Sequence, residues 1–70
     1  MEIKAEMAAT VWKVLVEVGQ QVDAGAELLI LESMKMEIPI EAPVAGTVSA
    51  LQVGAEDQVA EGDVLVVLAG

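Results

Sequence analysis

Shifted along itself by 37 residues, the sequence lays positions 3–31 over positions 40–68 without a gap, and eleven of the 29 pairs are identical. The identities are Ile3/Ile40, Ala5/Ala42, Ala8/Ala45, Thr10/Thr47, Val11/Val48, Val16/Val53, Gln21/Gln58, Val22/Val59, Gly25/Gly62, Leu28/Leu65 and Leu31/Leu68. Most apolar positions that differ swap like for like, as in Val14/Leu51 and Ile30/Val67. Such a chain folds as two similar units, and 70 residues leave neither unit room for a core of its own. Each half alone would leave its apolar face in water, so the halves must share one interior. The reading is one domain over residues 1–70. The midpoint of the repeat falls between Lys35 and Met36, which makes residues 32–37 the joint between the halves.

Within each half the apolar residues recur with a period of two, the spacing of a half-buried strand. Ile3, Ala5 and Met7 alternate with Glu2, Lys4 and Glu6, and Met36, Ile38 and Ile40 alternate with Glu37, Pro39 and Glu41. Trp12, Val14, Val16 and Val18 are expected on one face, against Val11, Lys13, Leu15 and Glu17. Twelve valines and four isoleucines favour strands, and Gly19, Gly25, Gly46, Gly54 and Gly62 punctuate the runs. Helix formers cluster in residues 1–9, but their apolar spacing is two rather than 3.6. The expected class is all-β: two similar antiparallel halves whose inner faces pack as a sandwich or flattened barrel. Under a pseudo-twofold axis the joint lies at one end and the termini together at the other.

Composition then removes whole classes of function. Three lysines are the only basic residues against twelve Asp and Glu, a net charge of −9, which leaves no basic stripe for nucleic acid and repels anionic lipid. Cysteine and histidine are absent, so the usual zinc sites, disulfides and Cys/His or Ser/His dyads are unavailable. Trp12 is the only aromatic residue, too little for a base-stacking platform. The longest uninterrupted apolar run, residues 64–69, is far below the roughly 18–20 residues of a membrane span. Glu2, Lys4 and Glu6 interrupt any signal-peptide core. The chain is expected to be a soluble, cytoplasmic or organellar, non-catalytic protein. Its Met1 start and lack of linker composition are those expected of a whole protein.

One segment carries chemistry. Lys35 stands at the joint in Glu32-Ser33-Met34-Lys35-Met36-Glu37. A lysine in a turn, screened by Glu32 and Glu37, is ordinarily a solvated surface residue. Methionine, however, is a poor turn residue, and two flexible apolar side chains at a tip suit a surface that another protein must grip. A free amine on a rigid turn is also what an acylating enzyme can reach.

The segment 32–37 resembles the attachment motif of biotinyl domains, the carrier modules of biotin-dependent carboxylases. The likeness runs over nearly the whole chain. Thr10-Val11-Trp12-Lys13-Val14 resembles the family's second strand, and residues 19–25 its first pair of glycine turns. Residues 41–48 resemble the stretch after the lysine hairpin, and residues 61–65 the last turn. Stand-alone single-domain biotin/lipoyl attachment proteins are the most similar members. The resemblance implies a flattened barrel of two four-stranded sheets. It implies that a biotin protein ligase joins biotin to the Lys35 amine using ATP. The biotin would then carry CO₂ between biotin carboxylase and carboxyltransferase components. Met34 and Met36 are implied in carboxyl transfer, and Glu32, Ser33 and Glu37 in ligase recognition. The module is expected to be monomeric.

Three features depart from the family pattern. Ser33 replaces the more common alanine, and Met7-Ala8-Ala9 stands where many relatives have Met-Pro-Gly. Glu56 occupies the repeat position of Gly19, where glycine is usual, so either Glu56 is strained or the turn has moved toward Gly54. Residues 18–28 are too few for the protruding thumb of some bacterial carriers. The alternatives are a lipoyl carrier of a 2-oxo-acid dehydrogenase complex, an attachment protein accepting either cofactor, and an unmodified interaction module. Lipoyl lysines usually have Asp before and Ala after, so Met34 and Met36 favour biotin. Glu56, Asp57, Glu61 and Asp63 lack calcium-loop spacing and read as a solvated acidic turn region.

Overall fold

The computed structural model describes residues 1–70 and contains eight strands and no helix. They are β1 (Glu2–Lys4), β2 (Ala9–Val14), β3 (Gln21–Val22), β4 (Glu27–Ser33), β5 (Met36–Glu41), β6 (Gly46–Leu51), β7 (Gln58–Val59) and β8 (Val64–Ala69). Adding 37 to the bounds of β2 and β3 gives those of β6 and β7, so the repeat is structural as well as sequential.

Two antiparallel four-stranded sheets form the sandwich, in the orders β1-β8-β6-β3 and β5-β4-β2-β7. The all-β class and the two-sheet architecture are as expected from the sequence. The halves are not the sheets, however. Each sheet takes two strands from each half, and exchanging β1–β4 with β5–β8 carries one sheet onto the other. Interleaving buries both apolar faces while making every sheet from strands of both repeats, so neither half can fold without its twin.

The interior is wholly apolar and nearly symmetric. Twelve of its fourteen residues form six repeat pairs: Ala5/Ala42, Val11/Val48, Val22/Val59, Leu28/Leu65, Leu29/Val66 and Leu31/Leu68. Ile3 and Val16 complete it, packed with their half-buried mates Ile40 and Val53. Burial of a Val or Leu side chain contributes about 1.5–3 kcal/mol. Backbone hydrogen bonds repeat likewise. The amide of Val11 donates to Asp57 O at 2.8 Å and that of Val48 to Gln20 O at 2.9 Å.

The alternation expected across residues 11–18 breaks at Trp12. Val11 faces Leu31 and Lys13 faces Ile30, which leaves Trp12 as an extra residue in a β-bulge. The bulge flips the pattern by one position. Val11 is therefore buried, and Trp12 does not share the face of Val14 and Val16; it is 40 % exposed. Ser49 is the corresponding extra residue of β6. The strand expected over residues 2–7 is also shorter, ending at Lys4.

Candidate functional site

β4 and β5 form the hairpin at the joint. Their ladder runs Leu31 with Ile38, Glu32 with Glu37, and Ser33 with Met36, so Met34 and Lys35 alone make the turn. Both have positive φ, 54° and 65°, the signature of a two-residue type I′ turn whose twist matches the flanking strands. Asn-Gly is the pair that such a turn prefers. Met and Lys in left-handed backbone cost roughly 1–2 kcal/mol each. The ladder beneath holds the strained turn in place, and strain of this kind gathers at functional sites.

The turn throws its side chains outward. Met34 is 91 % exposed and Met36 65 %, whereas Ile38 and Ile40, on the same face of β5 as Met36, dip toward the core. A methionine pair this bare offers polarisable apolar contact to a partner. The Ser33 hydroxyl donates to the Ala8 carbonyl at 3.4 Å and ties the hairpin to the segment before β2. Glu32 and Glu37 face one another across the two strands, both exposed.

The three lysines differ in what surrounds them. Lys4 Nζ lies 3.8 Å from a Glu2 carboxylate oxygen, and Lys13 Nζ lies 4.7 Å from the centroid of the Trp12 ring. Lys35 makes no ion pair or ring contact and stands on the rigid turn. That is a suitable setting for a covalently attached group, since the amine is reachable and its base is fixed. The buried residues of the domain are all apolar, so no buried acid, base or nucleophile adjoins the amine.

The structure brings all six residues picked out in the sequence, Glu32 to Glu37, onto this one hairpin. Sequence reading missed its left-handed pair and the Ser33–Ala8 link. A signal for the turn was present, since residues 29–32 and 37–40 mirror one another in polarity about the Met34–Lys35 bond. Among the acidic residues of the turns, Asp57 accepts from the Gly54 amide and Asp63 from the Ala60 amide, both at 2.8 Å. These carboxylates close turns. Glu56 has φ of 74°, so the turn has kept the place of its twin and Glu56 bears the strain.

The family model described as biotin-requiring enzyme matches residues 1–68. A biotin/lipoyl attachment protein of Bacillus subtilis is 48 % identical over 97 % of this chain and 93 % of its own length. A biotin carboxyl carrier protein of Streptococcus mutans is 49 % identical over 93 % of this chain and 50 % of its own. Among solved structures, the urea carboxylase of Kluyveromyces lactis superposes with a TM-score of 0.91 at 30 % identity. That match covers 99 % of this chain and 6 % of the carboxylase. With the lysine hairpin, the interleaved sheets and these relatives all in agreement, the chain belongs to the biotin-requiring enzyme family, in the group of biotin/lipoyl attachment domains.

Proposed function

We infer that this protein is a biotin carboxyl carrier, modified at Lys35. The observation that carries the reading is the hairpin itself: one unpaired lysine on a strained two-residue turn, bracketed by exposed Met34 and Met36. In the modification, the deprotonated Lys35 Nζ forms an amide with the carbonyl carbon of biotin activated by ATP as its adenylate, and AMP leaves. A biotin protein ligase supplies that step, and Glu32, Ser33 and Glu37 are the nearest groups for it to read.

Attached biotin supplies the ring that accepts and gives up a carboxyl group. The chain supplies everything else. The β4–β5 ladder fixes the root of the arm, the left-handed turn aims it away from the domain, and Met34 and Met36 give the biotin carboxylase and carboxyltransferase components an apolar grip. Tethering raises the effective concentration at both active sites without requiring tight docking. On this reading residues 1–70 act as one monomeric, cytoplasmic domain that does no catalysis. The methionines that flank Lys35 favour biotin over lipoate.

The test is intact mass after incubation with biotin, ATP and a biotin protein ligase. One biotinyl group is expected on the wild type and on Lys4→Arg and Lys13→Arg, and none on Lys35→Arg. Modification that persists in Lys35→Arg would remove the assignment.

A further inference from the structure

The outer face of the β5-β4-β2-β7 sheet departs from its twin in a way the fold does not demand. Away from the turn, Glu32 stands opposite Glu37, Ile30 opposite Pro39, and Glu27 opposite Glu41. Lys13 lies beside Ile30, and exposed Trp12 is next to it at the bulge. Four carboxylates thus share this face with one lysine. Like charges directly across a strand pair are destabilising.

At the twin positions, β8 and β1 place Val67 opposite Glu2 and Val64 opposite Lys4, with Ser49 at the bulge. Glu2 and Lys4 there pair with each other at 3.8 Å. The same backbone register therefore holds a neutral face on one sheet and an acidic one on the other. The acidic face has an apolar Ile30–Pro39 centre, and it is continuous with the lysine hairpin.

We propose that this sheet face, and not the hairpin alone, docks the ligase that acylates Lys35. The ligase surface opposite it carries Lys or Arg side chains that reach both carboxylate pairs, around an apolar patch that covers Ile30 and Pro39. The inference rests on the biotin-carrier reading above and names where its ligase sits. Glu27 lies five residues along β4 and Glu41 four along β5 from the Glu32–Glu37 pair, about 14 Å at the rise of a strand. A standard protein interface buries about 800 Å² on each partner, more than a two-residue turn offers. Complementary charge over that distance raises the association rate and is screened by salt.

The experiment measures steady-state biotinylation of the wild type, the Glu27→Gln/Glu41→Gln variant and the twin-face variant Glu2→Gln with one biotin protein ligase. Melting temperature is read in parallel. For the double variant, kcat/KM is expected to fall roughly fivefold to tenfold at low salt, through KM with kcat unchanged. The gap should close near about 0.5 M salt, and the melting temperature should rise as the repulsion is removed. Glu2→Gln should match the wild type. A double variant biotinylated as efficiently as the wild type, or an equal loss in Glu2→Gln, overturns the proposal while the carrier reading stands. A wild type that takes no biotin overturns the carrier reading itself.

Discussion

The two ends of the sandwich are built on one plan and finished differently. At one end β4 and β5 are closed by Met34 and Lys35; at the other their images, β8 and β1, pair without a connecting turn. There Met1 takes over the closing role, its carbonyl accepting from the Leu68 amide at 2.8 Å and its amino group donating to the Leu68 carbonyl at 2.7 Å. Core pairs, bulges and turn hydrogen bonds recur across both halves. What is shared between the halves makes the fold, and what only one end possesses makes the candidate site.

If the shared part carries stability, twin substitutions must cost alike. Leu31→Ala and Leu68→Ala each empty a fully buried position, and each is expected to lose about 2–5 kcal/mol in denaturant unfolding. That is comparable with the roughly 3–5 kcal/mol that a core of this size supplies. A large inequality between the two would break the symmetry argument. Gly46 and Ala9 sharpen it, because here the twins are not interchangeable. A Cβ on Gly46 would stand 2.8 Å from the Ala69 carbonyl oxygen, so Gly46→Ala should cost about 1–3 kcal/mol, read as a lowered melting temperature.

A smaller effect of opposite sign belongs to the next pair. Gly19 and Glu56 share left-handed backbone, with φ of 94° and 74°. Glu56→Gly should therefore stabilise by about 0.5–1 kcal/mol, and Gly19→Ala should destabilise by a similar amount. Equal signs in calorimetry would contradict the strain assigned to Glu56. The least structural of the changes is at the tip. Met34→Leu with Met36→Leu should leave melting and biotinylation near wild type and slow carboxyl transfer several-fold, about 1 kcal/mol in the barrier. Unchanged transfer would remove the role given to the methionines.

The strands and the joint were legible in the sequence because period-two alternation and the 37-residue repeat are local patterns. Met36, Ile38 and Ile40 alternate in β5 as their spacing required. The interleaving of halves between sheets was not legible, since strand partners are chosen by long-range burial that either pairing satisfies on paper. Trp12 misled because a bulge adds one residue and inverts the phase, and nothing in Val11-Trp12-Lys13 announces it. The lysine hairpin was read as a turn from Lys35 and its methionines, but its left-handed pair was hidden: propensity argues against Met and Lys there. Local preference and tertiary ladder conflict at that point, which is where a functional site was to be sought.

On the carrier reading, one end of a symmetric molecule is marked for one cofactor. The direct measurement offers the chain biotin and lipoate together, with both ligases and ATP, and maps the product by peptide mass. A biotinyl group is expected on Lys35 and nothing on Lys4 or Lys13; a lipoyl group on Lys35, or any acyl group on the other two lysines, would contradict the carrier reading.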